Sequence, residues 1–240
     1  MPRPADPALP AIVILTGAGI SQESGLATFR DPDGLWQRHR PEELATPEAF
    51  ARDPALVHGF YNARRAQLRG VSPNAAHLAL AELDARWPGE LLLVTQNVDD
   101  LHDRAGSKRL LHMHGALREA RCTRCAAVLP WEEDLSTATP CPRCGTAGGL
   151  RPNIVWFGEM PVGMDRIGRA LDRCDLFVSI GTSGLVYPAA SFVAEVRGRA
   201  RTVELNLEPS AGSALFDEAR HGPATALVPA LVAELLARCG

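Results

Sequence analysis

Short apolar runs recur along the chain at positions 11–15, 90–95, 110–113, 176–180 and 202–207. Each is too short for a buried helix, so each reads as a strand. Helical stretches lie between several of them; 75–86 is rich in strong helix formers and follows Ser72-Pro73, which reads as a capping serine with proline in the first turn. Such alternation predicts an α/β fold, a parallel sheet with helices on both faces. Two stretches break the pattern, a helical insertion over about 42–70 and a cysteine-bearing region over 122–144 without long apolar runs. Together they predict a second, smaller domain and a site in the cleft beyond the carboxyl ends of the strands.

Composition narrows the partners. At 240 residues and 46% hydrophobic, the chain can bury one large core with a small appendage. The net charge is −3, from 25 basic and 28 acidic residues, with no long basic run. That leaves no electrostatic footprint for nucleic acid or an anionic membrane and favours a small molecule or a peptide. The proline-rich start carries no apolar core, which predicts neither a leader nor a membrane span and a cytoplasmic protein. Cys122-x-x-Cys125 and Cys141-x-x-Cys144 form two knuckles at the spacing of a tetrahedral zinc site, while Cys174 and Cys239 read as plain thiols. Four thiolates fill the shell, so the zinc is expected to be structural rather than hydrolytic. A nucleic-acid ribbon or a redox dithiol pair has only Arg121, Arg124 and Arg143 nearby in its favour.

The first apolar run leads directly into TGAGISQESGLATFR at 16–30. Gly17 and Gly19 would let the backbone approach a pyrophosphate in dihedrals forbidden to other residues, and a helix starting near Ser21 would aim free N–H groups at the anion. A dehydrogenase fingerprint would need a third glycine where Gln22 stands, and an acidic residue at the end of a second strand about 20 positions on; neither is present, which weakens a hydride-transfer reading. Gly-Ala-Gly-Ile-Ser, then Glu-Ser-Gly, then Thr-Phe-Arg resembles the opening motif of the sirtuins, the NAD-dependent protein-lysine deacylases. The resemblance continues in order through Gln96-Asn97-Val98-Asp99, His114-Gly115, the cysteine knuckles, Val155-Trp156-Phe157-Gly158-Glu159, Gly181-Thr182-Ser183, Asn206-Leu207-Glu208 and Ala224-Thr225. It covers nearly the whole chain from Ile12 to about Pro229. One departure is Ala27, where the family more often has proline.

The resemblance implies a Rossmann-type NAD-binding domain built from 1–38, 71–118 and 151–240, with 39–70 and a zinc ribbon over 119–150 as the small domain. NAD is the implied cosubstrate and acylated lysine in proteins the implied partner. Gly17, Ala18, Gly19, Ile20, Thr28, Phe29, Arg30 and Trp36 would hold the cosubstrate from the first loop. Gln96, Asn97 and Asp99 would line the ribose and nicotinamide subsites, with Asn97 also serving catalysis by ordering water and Asp99 binding the carboxamide, and Gly181, Thr182, Ser183, Asn206, Leu207, Glu208 and Ala224 would hold the phosphates and adenosine. His114 would be the base, its ordinary pKa suiting proton transfer near neutrality. Without the other motifs, Asn97 or Asp99 would read as a helix cap, and His112 with His114 as a metal-binding pair.

In the implied reaction the acyl oxygen attacks the ribose C1′ and nicotinamide leaves. His114 then draws a proton through the ribose hydroxyls, the 2′-oxygen attacks the imidate, and hydrolysis by one water yields free lysine and O-acyl-ADP-ribose, with Phe29 shielding the intermediate. Val155, Trp156, Phe157 and Gly158 would receive the substrate peptide by strand addition and wall the lysine tunnel.

Tyr61 and Arg64 stand three apart and would share a helix face. A guanidinium and a phenol can grip a carboxylate together, and the sirtuin branch that removes acidic acyl groups carries this Tyr-x-x-Arg motif. The expectation is therefore removal of succinyl or malonyl groups, with acetyl accepted alongside. Spacing alone would favour a surface helix whose Arg64 and Arg65 face water. The alternatives are a plain deacetylase, a mono-ADP-ribosyltransferase on the same scaffold, and a noncatalytic NAD sensor. The presence of both Asn97 and His114 argues against the last. Oligomeric state is not legible.

Overall fold

The computed structural model describes residues 9–26 and 41–238. Strand β1 (Ile12–Thr16) is buried at every position. It leads into α1 (Gly19–Gln22), a single turn that begins two residues before the expected Ser21. The insertion forms α2 (Pro41–Leu44), α3 (Pro47–Arg52) and α4 (Pro54–Gln67). The last two start with proline at the first turn, and the Thr46 and Asp53 side chains accept N–H bonds from Ala49 and Leu56. Next comes α5 (Ala75–Arg86), capped by Asn74 rather than Ser72: the Asn74 side chain takes the Ala76 and His77 N–H groups, and His77 reaches back to the Asn74 N–H.

Strands β2 (Leu91–Thr95) and β3 (Leu110–His112) flank α6 (Leu101–Ala105). Then follow β4 (Gly115–Cys122), β5 (Val128–Pro130) and β6 (Leu150–Ile154). The chain continues through α7 (Met164–Asp172), β7 (Leu176–Ile180), α8 (Phe192–Val196), β8 (Arg201–Asn206), β9 (Glu218–His221) and α9 (Ala224–Leu236).

Six strands pair in the order β3-β2-β1-β7-β8-β9, all parallel. The order reverses between β1 and β7, the switch point of a doubly wound Rossmann-type sheet. Alternate residues face opposite layers. Ile12, Ile14, Leu91, Leu93 and Val178 pack with Leu80 and Leu83 of α5 and Leu231 and Val232 of α9. Val13, Leu15, Leu92, Val94 and Phe177 pack with Ile167 and Leu171 of α7 and Phe192 and Val196 of α8. Burial on both faces is why these strands read as continuous apolar runs.

A second, antiparallel sheet has the order β5-β4-β6. The cysteine-bearing stretch, expected as loop, thus contains β5 and is framed by β4 and β6. The insertion packs on this sheet through Val57, Tyr61, Leu117, Ile154 and Trp156. Arg65, for which a water-facing position was the plain alternative, is buried instead, donating from Nε to the Leu117 carbonyl at 2.8 Å and from Nη1 to the Asn62 side chain at 3.0 Å. Among the described residues, no helix is long and apolar enough to cross a membrane.

Candidate active site

At the carboxyl ends of β1, β2 and β7 a cleft of about 1540 Å³ opens between the two sheets. That exceeds the usual ~300–1,000 Å³ of a small-molecule pocket and leaves room for a dinucleotide together with a peptide side chain. Gly17, Ala18, Gly19, Gln96, Asn97 and His114 line it. So do Gly181, Thr182, Ser183, Asn206, Leu207, Glu208 and Ala224 on the far side of the switch point. Thr28, Phe29, Arg30 and Trp36 lie outside the described residues, as does Cys239.

The glycine loop works differently from expectation. The left-handed glycines do not include Gly17 or Gly19. Their N–H groups already donate to the carbonyls of Ile180 and Gly181, both at 2.9 Å. A Cβ on Gly17 would stand 2.7 Å from the Gly181 oxygen, and one on Gly19 2.8 Å from the Gly181 Cα. These glycines let the β1 and β7 loops close on each other at the switch point, and Gly181, at φ +62°, supplies the positive dihedral. Ile20 does not line the cleft; it is wholly buried in the core beneath. Glu23, which sequence reasoning passed over, ties this loop to α9: its carboxylate accepts the Thr225 N–H at 3.0 Å and hydroxyl at 2.6 Å.

Asn97 is only 6% exposed yet reaches the cleft. Its backbone N–H donates to Thr95 Oγ1 at 3.0 Å and its side-chain amide to Ser21 Oγ at 3.0 Å. Ser21 in turn donates to Asp99 Oδ2 at 3.0 Å, and Asp99 Oδ1 accepts the Leu101 N–H at 3.1 Å. Asp99 therefore sits behind the cleft wall, buried, with its pKa raised by burial. The plain reading of Asp99 as a cap for the next helix is partly met, while its other oxygen orders the loop that presents Asn97. Beneath lie His77, 3.4 Å from Ser21 Oγ, and His102, 3.0 Å from Thr16 Oγ1. No local motif marked this buried layer.

His114 lies past the end of β3, in the connection to β4. Its Nδ1–H donates to the Gln96 carbonyl at 3.1 Å, since a carbonyl can only accept. That bond fixes the tautomer and leaves Nε2 as the basic nitrogen. Burial lowers the pKa, with the Gln96 carbonyl opposing, so the neutral base persists below the ordinary histidine range. The following residue must be glycine: at φ +79°, a Cβ on Gly115 would meet the Asn153 carbonyl oxygen at 2.0 Å. His112 is no metal partner to His114. It donates to the Asn97 carbonyl at 3.3 Å from Nδ1 and lies 2.9 Å from Asp103 Oδ2 at Nε2. Burial opposes its charge, but the Asp103 carboxylate outweighs that and raises its pKa.

At the opposite end of the cleft, Tyr61 and Arg64 of α4 meet Phe60, Val155, Trp156, Phe157 and Gly158. Trp156 is 2% exposed and Phe157 55% exposed, so Phe157 forms the open wall while Trp156 backs it. The N–H groups of Val155, Phe157 and Glu159 already donate to His114, Ala45 and Trp156 carbonyls at 2.9 Å each. Residues 157–158 form a turn rather than the open strand edge that simple strand addition would use.

The sulfurs of Cys122, Cys125, Cys141 and Cys144 all lie within 4.8 Å of one another. Cys122 and Cys144 are 3.7 Å apart, and Cys125 and Cys141 3.8 Å. Zinc–sulfur bonds of about 2.3 Å in a tetrahedron require sulfurs about 3.8 Å apart, so this donor set fits one zinc ion with its shell closed.

Acid should weaken this architecture. Burial depresses His77 from 6.5 to about 4 and lowers His58 and His102 as well. A histidine whose folded pKa is depressed protonates first in the unfolded state, so stability is fully present above the unfolded value and falls as pH drops toward the folded one. His77 alone removes about 3 kcal/mol between pH 6.5 and 4. Urea midpoints measured from pH 7.5 to 4.5 are expected to fall steadily below pH 6.5; a flat profile contradicts the assigned burial.

A family model described as the Sir2 family matches residues 17–188. The chain is 58% identical over 231 residues to a protein of Caulobacter vibrioides named NAD-dependent protein deacylase, covering 95% of this chain and 97% of that one. A protein of the same name from Bdellovibrio bacteriovorus is 58% identical over 227 residues, covering 94% and 96%. Among solved structures, a Sir2 homologue bound to NAD superimposes with a TM-score of 0.87 at 42% identity, covering 96% of this chain and 91% of that one. A mutant Sir2 homologue bound to ADP-ribose gives 0.87 at 43% identity, covering 94% and 91%.

Proposed function

Because the chain belongs to the Sir2 family, we propose how its cleft carries out NAD-dependent protein-lysine deacylation, and that it favours acidic acyl groups. The protein is an NAD-dependent deacylase of lysine side chains with one structural zinc. NAD supplies a ribose carbon whose bond to nicotinamide is exchanged for one to the acyl oxygen. Asn97, held by Thr95, Ser21 and His112, presents its amide at the reacting end of the cleft. His114, with Nδ1 committed to the Gln96 carbonyl, takes the proton at Nε2 once nicotinamide has left. The loops at 17–19, 181–183 and 206–208, with Ala224, hold the phosphates and adenosine.

The observation that carries the acyl preference is that Tyr61 and Arg64 line the same cleft as His114, on one face of α4. Burial lowers the Arg64 pKa, against the pull of Tyr61 and Asp99, yet a guanidinium stays charged and a carboxylate is its natural counterion. We further assign 1–38, 71–118 and 151–240 to the NAD-binding domain and 39–70 with 119–150 to the small domain. Four thiol ligands suit the reducing cytoplasm. The test is product analysis: with NAD and a succinyl-lysine peptide, nicotinamide, free lysine peptide and O-succinyl-ADP-ribose are expected in equal amounts. ADP-ribose attached to the peptide instead would establish a transferase.

A further inference from the structure

Trp156 makes one contact that the deacylation account does not use. Its indole N–H donates to the Tyr61 hydroxyl oxygen at 3.0 Å, joining two residues 95 positions apart. One ion pair seats this tryptophan at both its backbone and its ring face. Arg151 stacks over the ring with its guanidinium carbon 3.4 Å from the centroid. The same guanidinium donates to both Glu159 oxygens, at 2.7 and 2.8 Å, and to the Ile154 carbonyl at 2.6 Å. Glu159 Oε2 also accepts the Trp156 backbone N–H at 2.8 Å. Phe50 packs on the indole with ring centroids 5.4 Å apart.

We propose that Trp156 is a specificity-positioning residue. By donating to the Tyr61 oxygen it directs the phenolic O–H toward an acyl carboxylate, and Arg151 with Glu159 is the clasp that holds the indole in place. This rests on reading Tyr61 and Arg64 as the carboxylate clamp. A phenol has one proton to donate. With the indole N–H filling an acceptor site, the hydroxyl is left to act as donor, and accepting a hydrogen bond makes it a stronger one. Burial pushes the Tyr61 pKa up to about 12, with the indole N–H opposing, so the hydroxyl keeps its proton through the working range. An acetyl group carries no carboxylate to accept that hydrogen bond.

The experiment is a double-mutant cycle read as the ratio of succinyl to acetyl kcat/KM on matched peptides, for wild type, Trp156→Phe, Tyr61→Phe and the double variant. Arg64→Met and Glu159→Gln run alongside, and circular dichroism and zinc content of each sample report folded enzyme. Trp156→Phe keeps a ring and removes the N–H. It is expected to lower the ratio about fivefold to tenfold, through succinyl KM rather than kcat, with Glu159→Gln moving it in the same direction. The double variant is expected to match Tyr61→Phe alone, because both substitutions remove the same interaction. Equal losses on both peptides, or additive losses in the double variant, would overturn the proposal. If Arg64→Met and Tyr61→Phe both leave the ratio unchanged, the clamp reading fails and this inference with it. A ratio altered by those two but not by Trp156→Phe overturns the inference alone.

Discussion

His114→Ala is expected to lower deacylation by about 10²- to 10⁴-fold, the usual contribution of a positioned acid–base group. The fold should survive, because among the described residues the side chain makes one hydrogen bond, to the Gln96 carbonyl, and packs in none of the apolar clusters. Zinc content should be unchanged, since all four cysteines lie elsewhere. The placement of the base after nicotinamide loss gives the variant a particular signature. Exchange of labelled nicotinamide into NAD in the presence of acyl peptide should persist while product formation collapses. Zinc content, circular dichroism and exchange together check it. Product formation within tenfold of wild type would remove His114 from the mechanism.

The second large effect concerns the acyl group. Arg64→Met keeps a long side chain and removes the charge. A guanidinium–carboxylate contact out of bulk water contributes about 1.5–3 kcal/mol, so the succinyl-to-acetyl ratio of kcat/KM is expected to fall roughly 10- to 100-fold. Most of the loss should appear in succinyl KM, because the carboxylate is remote from the reacting carbon and is held equally before and during reaction. Steady-state kinetics on the two peptides measures it.

What the sequence displayed follows from how local each signal is. Strands β1, β2, β7 and β8 were readable because burial on both faces makes them continuous apolar runs. The edge strand β9, Glu-Ala-Arg-His, was not: only one neighbour pairs with it, and its charged side chains form surface ion pairs such as Arg220 with Glu218 and Glu234. Strands β4 and β6 were hidden likewise, since polar residues such as Arg121 and Asn153 bond across the small sheet. Ser72-Pro73 drew the cap two residues too early, because Asn74 acts through a reciprocal bond with His77 that propensity alone does not reveal.

The same division holds in the site. The cysteine knuckles are close in sequence, so their spacing announced them. Ser21, His77, Asp99 and His102 converge only because the β1–β2 register sets Thr16 beside Thr95 and α5 covers that end of the sheet. Nothing local encodes that meeting. The glycines lie in a loop that lines the cleft, but their missing side chains make room for Gly181 rather than permitting unusual dihedrals.

The most direct test of the account is NAD-dependent nicotinamide release from matched succinyl-lysine and acetyl-lysine peptides by wild type and Arg64→Met. The account predicts that both peptides support release by wild type, succinyl more efficiently, and that the variant loses the succinyl advantage. Efficient acetyl turnover with no succinyl turnover, indifferent to Arg64, would contradict the acidic-acyl assignment, and release from neither peptide would contradict the deacylase mechanism built on this cleft.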